Sequence, residues 1–271
     1  MLVLSRLIDA TPPLPQSVLQ LNALRSNPNR SLAMVAKIVE SDPVLSAKIL
    51  GLVNSSYYHP KNAINSMTHA CSFLGETQIF SMALLVGFHS HFKFNLDAYD
   101  LDEKHFLHNT LMQTRLMNAW LKRVGTRYAD TLRLATFISD IGKVLINKML
   151  EESGKKELFQ IKLRSGVSER TAELELVGAT TLEVTAMMLR HWQLPEEIVS
   201  LVEYTAKPHG IPDSMKAAVN MMESVHHLWQ FWKESKDKIS QEALLGFAVF
   251  DPKIMPLYEE AVNEVLQYQS A

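Results

Sequence analysis

Apolar residues along this chain recur at spacings of three and four, the period of a helix with one buried face. Ile38, Leu45, Ile49, Leu52 and Val53 keep that phase across the pair Asp42-Pro43. An aspartate followed by proline suits a helix start. The carboxylate accepts from loose backbone N–H groups, and the proline ring presets φ at the first helical residue. The same pair returns at Asp251-Pro252. Longer helical stretches are predicted over 77–92 and 102–124. Over 128–150 the chain is apolar on nearly every side, through Leu132, Leu134, Ala135, Phe137, Ile138, Ile141, Val144, Leu145 and Ile146. A helix with no polar face belongs inside a domain, so this segment is predicted to be one central helix. Further helices are predicted over 155–164, 168–177, 180–192, 195–205, 214–234, 241–250 and 253–268. Gly75, Gly125, Gly154, Gly166 and Gly178 fall where helices should end. No stretch alternates polar and apolar long enough for a strand, so the fold class is all-α. The linker 94–101, with Asp97 and Asp100, is the best boundary between two parts.

Composition narrows the class. The chain has 271 residues, 47% hydrophobic and 21% charged, enough to bury a sizeable core without disulfides. The single cysteine, Cys71, has no internal partner, which points to a reducing compartment. Its neighbours Ala70, Phe73 and Leu74 make it a small core residue rather than a nucleophile. The opening MLVLSRLIDATPPLP has too short an apolar run, and no basic leader, for a secretory signal. No run approaches eighteen apolar residues. The expectation is a cytoplasmic protein with no membrane contact.

Charge and motifs exclude more. Seven basic and four acidic residues precede Leu96, and 20 and 25 follow, for a net −2. That asymmetry is too mild for a protein that grips nucleic acid by its phosphates, so no nucleic-acid partner is expected. No P-loop, nucleophile elbow, dinucleotide fingerprint or H-E-x-x-H helix is present. His226-His227 invites a metal, but adjacent helical residues point about 100° apart. Glu223 and His226 have an E-x-x-H spacing, yet sites built that way need two copies. His89 and His91 fail likewise, because i and i+2 do not share a helix face. Val225, Leu228, Trp229 and Trp232 form a stripe read as packing rather than a base-stacking platform. Lys233, Lys236 and Lys238 follow it as cations at a helix C-terminus.

Two stretches carry a family resemblance. Leu14-Pro15, the run Ile38–Leu45, Lys48-Ile49-Leu50, Leu52-Val53-Asn54-Ser55, Ile64-Asn65-Ser66 and Phe73-Leu74-Gly75 together resemble the N-terminal half of the HD-related output domain (HDOD) family. Ser139-Asp140-Ile141-Gly142-Lys143 resembles the HD-I-G-K core of the HD phosphohydrolases with its histidine replaced. Glu175-x-x-Gly178-x-x-Thr181 and Trp192-x-Leu194-Pro195 resemble the later HDOD pattern, so the match runs over about residues 14 to 210. The resemblance implies an HD-domain-like helical bundle. Residues 1–96 would form an N-terminal helical subdomain, and residues 97–271 a degenerate HD-like subdomain with a C-terminal helical extension.

The resemblance also implies a site. HD phosphohydrolases hold a divalent metal with one histidine, a His-Asp pair and a later aspartate, and the metal activates water. Here His108 corresponds to the first histidine and Asp140 is retained. Ser139 replaces the paired histidine, Thr181 stands at a later one, and Asn220 at the last aspartate. The segment 204–208, where the family has two histidines, has none. A hydroxyl is a poor ligand, and losing even an outer-shell partner costs about 10–100-fold in metal affinity. The expectation is therefore no catalytic residue, no metal and no cofactor: a pseudoenzyme. Asp140 would be structural, neutralised by His108, and Lys143 would reach to solvent. By resemblance the chain is a bacterial signal-transduction module acting through a protein partner of unknown identity. The C-terminal apolar residues would complete the core or form a homodimer interface. Two alternatives stay open: a metal phosphohydrolase with atypical ligands, and a nucleotide sensor in the vestigial cleft.

Overall fold

A computed structural model of the chain describes residues 2–55, 57–91, 94–207, 209–232 and 255–269. The helices are α1 (Leu2–Asp9), α2 (Gln16–Arg25), α3 (Leu32–Glu40), α4 (Pro43–Val53), α5 (Met67–Leu74), α6 (Glu76–His91), α7 (Glu103–Leu121) and α8 (Ala129–Ile138). They continue with α9 (Lys143–Glu152), α10 (Lys156–Arg164), α11 (Glu169–Leu176), α12 (Thr181–His191), α13 (Glu196–Ala206), α14 (Asp213–Trp232) and α15 (Met255–Gln269). Short 3-10 turns lie at Asp97–Tyr99 and Ser139–Gly142. Among the described residues there is no strand, only an isolated bridge between Leu96 and Leu101. No single described helix is long and apolar enough to cross a membrane.

The chain divides into two compact units, Ala10–Phe94 and Met1–Asp9 with Asn95–Ala271. The first nine residues thus belong with the larger unit, not with the segment that follows them. The reason is packing: α1 lies on α9 and α12, and its Leu4 and Ile8 are buried.

In the smaller unit, the starts of α3, α4 and α5 are set by side-chain caps. Ser31 caps α3 and Ser66 caps α5. Asp42 caps α4 by accepting from the Leu45 N–H at 3.0 Å, with Pro43 in the first helical turn. The second carboxylate oxygen of Asp42 accepts from the Ser17 hydroxyl at 2.8 Å, tying α2 to the same point. Val18, Leu21, Val35, Val39, Leu45, Ile49, Val53, Met67, Ile79 and Phe80 fill the core between these helices. Cys71 is buried among them, and burial pushes its thiol up to about 11. Asn54 ends α4 and closes the loop behind it. Its amide nitrogen donates to the carbonyls of Leu50 and Ile64, both at 2.8 Å, and its oxygen accepts the Ile64 N–H at 2.8 Å.

In the larger unit, α7 packs on α8, α14 and α15, and α12 on α13 and the Ser139–Gly142 turn. The C-terminal helix completes this core within one chain. Tyr258 of α15 lies 4.7 Å, ring to ring, from Trp120 of α7, and Ala261 and Val265 are also buried. Arg123 closes the outer edge with Glu260 and Glu264 at 3.2 and 2.9 Å. The side chains of His89, His91, His227, Leu228, Trp229 and Trp232 lie outside what the structure describes. So do Lys233, Lys236 and Lys238, the helix predicted over 241–250, and Asp251-Pro252.

The predicted central helix is two helices with a 3-10 turn between them. A side chain inserted into the backbone ladder causes the break. The Thr185 hydroxyl of α12 accepts the Gly142 N–H at 3.0 Å and donates to the Ser139 carbonyl at 2.7 Å. It therefore takes over backbone groups that an uninterrupted helix would pair internally. Gly142 permits this approach, because a Cβ there would collide with the Thr181 carbonyl.

Replacing Asn54 with alanine removes three hydrogen bonds and strands the N–H of Ile64, a residue only 1% exposed. Equilibrium urea unfolding should show a loss of about 2–3 kcal/mol. A loss within experimental error would mean the loop holds its shape without the clamp.

Candidate functional site: a polar cavity at the Ser139–Gly142 turn

The break in the helix points Asp140 inward. Around it the larger unit encloses a polar cavity of about 80 Å³, to which α7, α11, α12, α13 and α14 all contribute. Asp140 is 7% exposed. One of its oxygens accepts from the Gln113 amide of α7 at 3.1 Å, and the other lies 3.4 Å from the Lys143 ammonium. That ammonium also meets Glu169 of α11 at 3.0 Å and lies 5.5 Å from the centre of the Tyr99 ring. Burial alone would lower the Lys143 pKa. The Asp140 carboxylate, then that of Glu169, outweighs burial, and the pKa lies above its ordinary value.

One turn along α11 from Glu169, Glu173 is 2% exposed and fully engaged. It accepts from the Tyr99 hydroxyl at 2.8 Å and from the Thr181 N–H and hydroxyl at 2.7 and 2.6 Å. Three donors favour the carboxylate, but burial outweighs them and pushes the carboxyl up to about 7.

The residues do not suit a divalent metal. Asp140 alone among the positions corresponding to metal ligands carries a carboxylate, and an ammonium already sits against it. The Ser139 hydroxyl donates to the Thr136 carbonyl, and the Thr181 hydroxyl to Glu173. Among the described residues no three His, Cys, Asp or Glu side chains form a metal-holding group.

Of the residues singled out from the sequence, Asp140 and Thr181 line the cavity, and Ser139 is buried beside it. His108 is exposed on α7 and does not line it. Successive helical residues are about 100° apart, and Asn109 and Gln113 take the inward positions instead. Gln113, not His108, is thus the α7 partner of Asp140. Asn220 sits about one turn short of the cavity on α14, whose inward residues there are Glu223 and His226. Lys143 does not reach to solvent, since it is 9% exposed and doubly paired. Glu175 pairs with Lys162 at 2.5 Å on the outside, while Glu173 holds Thr181. Glu169 and Glu173 share a helix face by their spacing of four, a signal present in the sequence and passed over.

The family model for the HDOD domain matches residues 11–208. Among solved structures, an HDOD domain protein of unknown function from Geobacter sulfurreducens is 18% identical with a TM-score of 0.72, over 100% of this chain and 96% of that one. A candidate phosphohydrolase from Shewanella amazonensis is 20% identical with a TM-score of 0.69, over 96% and 93%. A candidate signal transduction protein from Marinobacter aquaeolei is 18% identical with a TM-score of 0.72; 96% of this chain covers 59% of that one. At these identities the likeness is one of fold. No curated protein matches significantly.

Two outcomes are expected. Lys143→Met leaves Asp140 and Glu169 facing each other without their cation, and should cost about 3–5 kcal/mol in urea unfolding; a loss below about 1 kcal/mol would show the pair contributes little. Glu173 has an ordinary pKa near 4.5 in the unfolded chain and one of about 7 when folded. Between those values the folded chain holds a proton that the unfolded chain releases. Its share of stability is therefore present below pH 4.5 and lost as pH rises through 7, by about 3 kcal/mol. Subtracting the Glu173→Gln profile from the native one, by urea titration across that range, should leave this falling slope. A flat difference would place the folded pKa near its unfolded value.

Proposed function

The chain belongs to the HDOD family, and from that premise we propose that it is a non-catalytic signal-transduction module that acts by binding a protein partner. One observation carries the proposal: the Lys143 ammonium lies between Asp140 and Glu169, in the cleft where a hydrolytic relative would hold a metal. An ammonium offers no open coordination position, so it cannot activate water as a Lewis acid. It instead fixes α9 to α11 as a permanent internal ion pair. The fold shared with a candidate signal transduction protein from Marinobacter supports a role in signalling. A bacterial, cytoplasmic setting agrees with the lone buried thiol and with the three solved relatives named above, all from bacteria.

Neither alternative gains support from the geometry. A cavity of about 80 Å³ is small beside the roughly 300–1,000 Å³ of ordinary ligand pockets, and Asp140, Glu169, Glu173 and Glu223 around it oppose a nucleotide's phosphates.

Elemental analysis of the purified full chain should find no stoichiometric Mn, Fe, Ni, Mg or Zn. Phosphodiester and nucleotide hydrolysis should stay at background, unchanged in Asp140→Ala. A bound metal together with turnover that Asp140→Ala abolishes would overturn the proposal. A partner recovered from the native host should bind the purified chain saturably.

A further inference from the structure

We propose that the cavity is a binding site for a small zwitterion, a molecule the size of the smaller α-amino acids that carries one carboxylate and one ammonium. The proposal rests on the cleft lacking a metal and otherwise goes beyond the signalling role.

The argument is a count of unused bonding capacity. Most charges around the cavity are already spoken for: Lys143 by Asp140 and Glu169, and Glu173 by its three donors. Among the described residues, Arg170, Glu223 and Gln113 are left over on the cavity lining, with Asn109 beside them. Arg170 of α11 bonds only the Ala206 carbonyl and has no acidic partner among the described residues. Glu223 of α14 has no basic partner and no hydrogen bond there. These two opposite charges line one cavity without pairing with each other. The third group is the Gln113 carboxamide, 2% exposed, whose Oε1 is buried with no hydrogen-bond partner among the described residues. Its orientation is fixed, because the amide nitrogen must face the Asp140 carboxylate. A buried acceptor left unpaired is costly, and native structures keep few of them.

The leftovers are one cation, one anion and one neutral acceptor. A lone anion would meet Arg170 but also the surrounding carboxylates; a lone cation would meet Glu223 but also Arg170. A molecule with both charges can place its carboxylate at Arg170 and its ammonium toward Glu223 and the Gln113 side. Asn109, which also lines the cavity and makes no side-chain hydrogen bond among the described residues, can serve either end. Size agrees. A cavity of about 80 Å³ is well above the roughly 10–15 Å³ needed to admit a single water, so it has room for a compact group of a few atoms. The smaller α-amino acids are compact molecules of that kind.

The test is calorimetric titration and thermal shift on the full chain with glycine, alanine and serine, with and without EDTA. Methylamine, acetate and an amino-acid methyl ester serve as probes lacking one charge. The expected result is saturable binding of at least one zwitterion, unaffected by EDTA and about tenfold or more tighter than any single-charge probe. Arg170→Gln and Glu223→Gln, both at partly exposed positions, should each weaken it about tenfold or more while the unliganded chain stays folded by circular dichroism. The proposal is overturned if no zwitterion saturates by about 10 mM. It is also overturned if single-charge probes bind equally well, or if binding survives both substitutions. Binding abolished by EDTA would instead indict the metal-free reading of the cleft, and elemental analysis of the same sample would show it.

Discussion

A buried ammonium held by two carboxylates is the contact around which the larger unit is organised. Lys143 stands at the first residue of α9, Asp140 in the turn before it and Glu169 at the first residue of α11. A charge taken out of water must find its opposite nearby, or the fold loses several kcal/mol. Side chains from two separate pieces of backbone are thus obliged to meet, and each meeting constrains what surrounds it. Gln113 can approach Asp140 only with its amide nitrogen forward, and Glu173 sits one turn from Glu169 in a field that already favours its neutral form. The chemistry of the cavity follows from that single internal salt link. Positive charge there is supplied by a side chain tethered in place.

The same region shows why a helix boundary can be hidden from a hydrophobic pattern. The segment from Leu132 to Ile146 is apolar in every direction, which signals burial and says nothing about continuity of the backbone. The interruption comes from Thr185, more than forty residues away, whose hydroxyl enters the ladder at Ser139 and Gly142. Only the glycine in that stretch hinted at it, since a missing Cβ often marks the approach of another backbone.

Most of the architecture was legible locally. Asp42-Pro43 announces α4, and the spacing of Ile38, Leu45 and Ile49 gives its buried side. The polar stretch near Asp97 and Asp100 falls beside the division at Phe94 and Asn95. The placement of α1 was not legible, because Leu4 and Ile8 give a helix but no address for it. In the cavity, Asp140 and Thr181 could be named from motif alone. His108 and Asn220 could not be checked the same way. Whether a helical residue faces inward depends on rotation, and a shift of one position turns the side chain by about 100°. Gln113 lacked any motif, Glu169 carried only its spacing of four to Glu173, and Glu223 only its E-x-x-H spacing to His226; their place on the cavity comes from how the helices pack.

The contact between Trp120 and Tyr258 reaches across the end of the family match. The matched region stops at residue 208, yet the indole at the heart of α7 is covered by a ring fifty residues further on. A fragment cut at the recognised border would therefore leave a large aromatic surface wet and sticky. For expression, fusion or domain swapping, the workable unit is set by where the last hydrophobic lid comes down, not by where likeness to other chains fades.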